Sequence, residues 1–153
     1  DLGKRQELFI QELEIGKMQD LKNKIMLDAG CGNGQLTSLI SNYTKIIGMD
    51  LSQSVFSAEK RKNNITKKPE NLLFIEGNIM NPPLKENSFD IIYSSGVLHH
   101  TPNTFDSFKS LIPLLKEHGK YYIYLYRKDR KDRIQMIQRK CILWGVFLIS
   151  PVL

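Results

Sequence analysis

Two acids and a run of glycines are the residues best spaced to do chemistry. Asp28-Ala29-Gly30-Cys31-Gly32-Asn33-Gly34 holds three alternate glycines two residues after an acid, and Asp50 stands 20 residues after Gly30. Glycines let a backbone turn tightly and approach a ligand closely. A helix starting at such a loop offers unbonded N–H groups. A carboxylate about 20 residues on can accept both hydroxyls of a ribose. The plainer alternative is that Gly30, Gly32 and Gly34 only build a turn and that Asp28 caps it. The dinucleotide pattern needs a glycine three residues after the second one; that position is Gln35, and the glycine falls at Gly34. Asp28 would also repel a pyrophosphate, whereas it could receive an ammonium group. The ligand expected here carries a ribose and an amine and no phosphate, which disfavours a nicotinamide-dependent oxidoreductase.

These residues need strands ending just before them. Lys24-Ile25-Met26-Leu27 is a short apolar run ending at Asp28, and Lys45–Met49 is another ending at Asp50. Leu72–Ile75, Phe89–Tyr93 and Tyr121–Tyr126 are three more. Helices are expected over about residues 5–20, from Gly34 to about Asn42, from a Ser52 cap to about Lys62, and from Asn103 or Thr104 to Gly119, with Pro113 near its end. From Arg130 onward, Ile134, Ile137, Cys141, Trp144 and Leu148 keep a helical spacing. Continuous apolar strands alternating with helices predict a doubly wound α/β fold, a mostly parallel sheet covered on both faces. Ligand is then expected beyond the carboxyl ends of the strands, where Asp28, Asp50, Asn78 and Ser94 fall.

The 153 residues are 41% apolar and 25% charged, which excludes a disordered chain and suits one domain. Two distant cysteines exclude a disulfide scaffold and, with no secretory signal at the start, predict a cytoplasmic protein. No apolar run reaches the roughly 20 residues of a spanning helix. The net charge is +6, and residues 127–140 alone hold seven basic residues against two acidic, a net +5. The rest of the chain is therefore expected to be nearly neutral.

The segment Ile25–Gly34 resembles the first motif of class I S-adenosylmethionine-dependent methyltransferases, and Asp50-Leu51-Ser52 resembles the second. Glu76-Gly77-Asn78-Ile79 stands at the third, where Asn78 replaces the usual Asp. Ser88–Thr101 is similar to the fourth motif of the small-molecule branch, and Leu114–Lys120 to the turn into strand five. The likeness covers roughly residues 20–127.

It implies a strand order of 3-2-1-4-5 and S-adenosylmethionine as cofactor, with S-adenosylhomocysteine as product. Asp28, Gly30, Cys31 and Gly32 would hold the methionine portion. Asp50 would bind the ribose, Leu51 would pack on the adenine, and Asn78 and the backbone of Ile79 would meet the adenine edge. The carbonyl of Ser94 would face the ammonium. A small molecule is the expected acceptor; the competing expectation is a cofactor-binding remnant or incomplete fragment that acts by association. His99 and His100, just after the fourth strand, are the candidates for a base or an acceptor-orienting group, His99 first. Being adjacent, they are expected to point in different directions and to make a poor metal pair. No metal is expected.

Asn81-Pro82-Pro83-Leu84 resembles a base-methylating signature. It precedes the fourth strand and ends in Leu84 rather than in an aromatic ring, so it is expected to be a loop and nucleic acid is not expected as substrate. The family's sixth and seventh strands are not legible, so a C-terminally truncated single domain is expected, with a core over 20–127. The basic and apolar segment 128–153 is expected to be a solvated helix start packing on the sheet edge. The competing expectation is a contact made through 127–153 with anionic lipid or another anionic partner. An unfinished sheet edge also predicts cover by a second copy of the chain, a homo-oligomer.

Overall fold

The computed structural model describes residues 2–65, 67–125, 127–128 and 134–135. Its centre is a sheet of five parallel strands: β1 (Ile25–Ala29), β2 (Lys45–Asp50), β3 (Leu72–Glu76), β4 (Phe89–Ser95) and β5 (Leu115–Tyr124), in the order β3-β2-β1-β4-β5. The apolar runs read from the sequence are these strands. Met26, Leu27, Ala29, Met49 and Ile92 are fully buried, as a sheet covered on both faces requires. The strand order is the expected one.

Among the described residues, four helices cover the two faces: α1 (Leu2–Leu13), α2 (Gln35–Ile40), α3 (Ser54–Ile65) and α4 (Thr104–Leu111). Side chains alternate across the sheet, so Met26, Ile91 and Tyr93 meet Phe9 and Leu13 of α1, Ile40 of α2 and Val55 of α3. Leu27, Ala29 and Ile92 face the other way, onto Leu98 and onto Leu111 of α4. Tyr93 fixes α1 to the sheet. Its hydroxyl donates to Glu12 Oε2 at 2.7 Å, and its ring takes the edge of Phe9 and stacks on Tyr122.

Three expectations differ from what is found. The fourth helix does not run to Gly119. It ends at Leu111, and a 3-10 turn over Ile112–Leu114 leads straight into β5. Proline cannot continue the hydrogen-bond ladder, so Pro113 ends the helix rather than bending it. β5 then bulges: Phe89 pairs with Leu115 and Ile91 with Lys120, with His118 at a φ of 62° in the extra loop. Ser52 is not a simple helix cap, because its hydroxyl donates to Asp50 Oδ1 at 2.6 Å. The helix expected from Arg130 is not found at Ile134–Gln135. These two residues form β7, which pairs antiparallel with β6 (Arg127–Lys128), so inter-strand pairing takes the place of helix there. The remainder of that segment lies outside the described residues.

Candidate functional site

The glycine loop leaves the carboxyl end of β1 and enters α2 through Gly34, whose φ of 70° is left-handed. Its glycines have different tasks. A Cβ on Gly34 would stand 2.3 Å from the Phe74 ring, and one on Gly30 would stand 2.3 Å from Val97. Those two positions exist for close packing. Gly32 also has a positive φ, 54°, but a Cβ there would meet nothing within 4 Å. Of the three loop glycines, Gly32 is the one that faces open space.

Asp50 closes the loop from the neighbouring strand. The Gly32 N–H donates to Asp50 Oδ2 at 2.7 Å, and the Ser52 N–H donates to Oδ1 at 2.8 Å. With the Ser52 hydroxyl, Oδ1 accepts two bonds and Oδ2 one. A carboxylate has about four acceptor positions, so a ribose hydroxyl fits directly on Oδ2 and a second must displace a loop donor. Leu51, next in the chain, is 67% exposed. Ser54 Oγ donates to the Gly32 carbonyl at 2.9 Å, tying α3 to the same loop.

Asp28 is 5% exposed, and Thr37 Oγ1 donates to its Oδ2 at 2.6 Å. None of the ion pairs among the described residues includes it. Burial pushes its carboxyl up to about 6; the Thr37 hydrogen bond opposes this, and the charge of Asp50 adds to it. A buried acid beside a second acid is costly unless a cation arrives. Cys31 is half-buried, and its thiol is pushed up by burial and by the two nearby acids, so it is no nucleophile.

The other expected residues fall around this loop. The Gly77 N–H donates to the Asp50 carbonyl, which brings Asn78 beside the end of β2. Asn78 Oδ1 accepts from the Met80 N–H at 2.9 Å and keeps one acceptor position for a ligand amine. Ile79 is buried, and its carbonyl accepts from Ser110 Oγ at 2.6 Å. Ser94 Oγ donates to the Ala29 carbonyl at 2.9 Å, locking the ends of β4 and β1 together.

His99 and His100 lie in a 3-10 turn, Leu98–His100. Contrary to expectation, their rings do not diverge. The tight turn brings the centroids to 4.0 Å. Burial, and then the neighbouring His100, holds His99 below the ordinary histidine range, so its ring is neutral at physiological pH.

A methyltransferase-domain profile matches residues 27–123, well over half of the chain. The chain belongs to the methyltransferase-domain family. It is 32% identical over 108 residues to the demethylmenaquinone methyltransferase of Lactococcus lactis, covering 68% of this chain and 42% of that one. It is 32% identical over 117 residues to the sterol 24-C-methyltransferase of Pneumocystis carinii, covering 72% of this chain and 31% of that one. A SAM dependent methyltransferase from Aquifex aeolicus has the same fold, with a TM-score of 0.64 at 21% identity over 87% of this chain and 77% of that one. The chain thus spans about a third to a half of the two curated relatives.

Sequence reasoning missed several residues that hold this methyltransferase domain's loop. Thr37 and Ser54 bond it through side chains, and Phe74 fills the space behind Gly34. A hydroxyl on an early helical turn near a glycine loop is a weak signal, and only the pairing of β2 with β3 places Phe74 against Gly48 and Gly34.

Proposed function

We propose that this domain binds S-adenosylmethionine at the carboxyl ends of β1 and β2 and serves methyl transfer to a small-molecule acceptor. The observation that carries the reading is the pair of acids around an open glycine. Asp28 is buried with no cationic partner among the described residues, and Asp50 stands 2.7 Å from the N–H of Gly32, beside which space is free. That donor set suits a ligand carrying an ammonium group and a ribose. Asp28, with the loop from Gly30 to Gly32 and the carbonyl of Ser94, would receive the amino-acid portion. Asp50 would take the ribose, Leu51 would cover the adenine, and Asn78 and Ile79 would meet its edge.

When bound, the sulfonium supplies an already activated methyl group, so the protein's task is mainly alignment. His99, neutral and at the same end of the sheet, would accept the proton that an acceptor hydroxyl, amine or carbon acid gives up. The named activities of the Lactococcus and Pneumocystis relatives support a small, largely apolar acceptor.

Calorimetric titration with S-adenosylhomocysteine tests the reading. Micromolar-range binding is expected, strongly weakened by Asp50→Ala, with no heat from NADH. A folded sample that takes up NADH and ignores S-adenosylhomocysteine would overturn it.

A further inference from the structure

A cavity lies at the other end of the sheet. It measures about 420 Å³ and is lined by Lys22, Lys24, Lys45 and Lys68 together with Asn71 and Tyr43, among others. Ile25 and Lys45, the first residues of β1 and β2, also belong to its wall. The strands are parallel, so the glycine loop is a strand length away, roughly 13 Å at about 3.3 Å per residue. The two sites are separate.

All four lysines are exposed, and no carboxylate lines the cavity. Asp90, which bonds the wall residue Ile25, is already committed. It accepts from the Ile25 N–H at 2.8 Å and from Lys116 Nζ at 2.9 Å, and it sits below the ordinary carboxylate range. Burial alone would raise it; the bonds from Lys116 and Ile25 outweigh that. Neither Lys22 nor Lys45 has an ion-pair partner among the described residues. The like charges of Lys22 and Lys45 beside one concavity repel each other, and an anion between them relieves the repulsion. Lysines lining a concavity of ligand size suit a phosphate, which they bind as point charges. Asparagine and tyrosine side chains on the same wall add neutral polar groups.

We infer that this cavity binds a soluble small anion bearing two or more linked phosphates. It does so independently of the site at the glycine loop.

Calorimetry with inorganic triphosphate on the full chain at low salt tests this. The unaltered protein is expected to bind in the micromolar range. Lys22→Gln with Lys45→Gln should weaken binding about tenfold or more, since each removes a charged donor. Lys22→Arg with Lys45→Arg should stay within about threefold, because the charge remains. A control pair outside the cavity, Lys60→Gln with Lys85→Gln, removes the same net charge and should also stay within about threefold. S-adenosylhomocysteine binding should be the same in all four proteins, which separates this inference from the one above. Cooperative melting of each variant establishes that it is folded. The inference is overturned if triphosphate gives no heat on folded protein, or if both glutamine pairs weaken binding equally. Uptake of single-stranded RNA with none of triphosphate would overturn it too.

Discussion

At the carboxyl ends of β1 and β2 the chain gathers Asp28 and Asp50; at the amino ends of the same two strands it gathers Lys24 and Lys45. The acids are tied into a network. Asp28 is buried under Thr37, and Asp50 is bonded to Gly32 and Ser52. The lysines are exposed and open onto a cavity. One end therefore holds hydrogen-bonded carboxylates, and the other holds exposed ammonium groups. A parallel sheet makes this division natural, because all strands start at one edge and finish at the other.

Substitutions break the comparison in graded ways. The largest effect is expected from Gly34→Ala. Its Cβ would enter the Phe74 ring at a left-handed φ, and a loss of about 3 kcal/mol is expected in denaturant unfolding. Gly32→Ala pays only the conformational part, about 1 kcal/mol, yet should weaken S-adenosylhomocysteine binding by more than Gly34's neighbour-packing role would explain. Equal stability losses at the two positions would show that Gly32 is a packing glycine as well.

Asp50→Ala comes next. It removes a charged acceptor for two hydroxyls, so calorimetry should record a loss of about 100-fold in S-adenosylhomocysteine affinity and no change in triphosphate affinity. Asp28→Asn should act on stability in the opposite direction. The Asp28 carboxyl rises from 3.8 to about 6 on folding, so the folded state holds its proton more tightly. The penalty is absent below pH 3.8, grows as pH rises through that window, and is complete above about 6, where it amounts to about 3 kcal/mol. The asparagine variant should therefore melt higher than the parent at pH 7.5 and show no difference near pH 4. The smallest effect is expected at Asn78. Asn78→Asp makes a stronger acceptor for an amine and should tighten S-adenosylhomocysteine about fivefold.

Four strands and the second half of β5 were legible because each is an unbroken apolar run, and the structure brings Gly32 and Asp50, which the motif spacing singled out, within hydrogen-bond distance. What escaped depends on contacts between distant segments. The end of α4 is set by Pro113 together with the pairing of Leu115 with Phe89. The bulge over residues 116–119 has no apolar period to announce it. The convergence of His99 and His100 follows from a 3-10 turn that their types do not encode. The lysine cavity was hidden for the same reason. Lys22, Lys24, Lys45 and Lys68 are spread over 47 positions and come together because β1, β2 and β3 start side by side. A net charge of +1 outside residues 127–140 thus conceals a segregation that a sum cannot express.

The most direct test of the acidic end compares two ligands on two proteins. S-adenosylhomocysteine carries an ammonium group, and 5′-methylthioadenosine shares its nucleoside and lacks that group. If Asp28 receives the ammonium, Asp28→Asn weakens S-adenosylhomocysteine about tenfold in calorimetry and leaves 5′-methylthioadenosine within about twofold. An unchanged affinity for S-adenosylhomocysteine, or an equal loss for both ligands, would contradict the account.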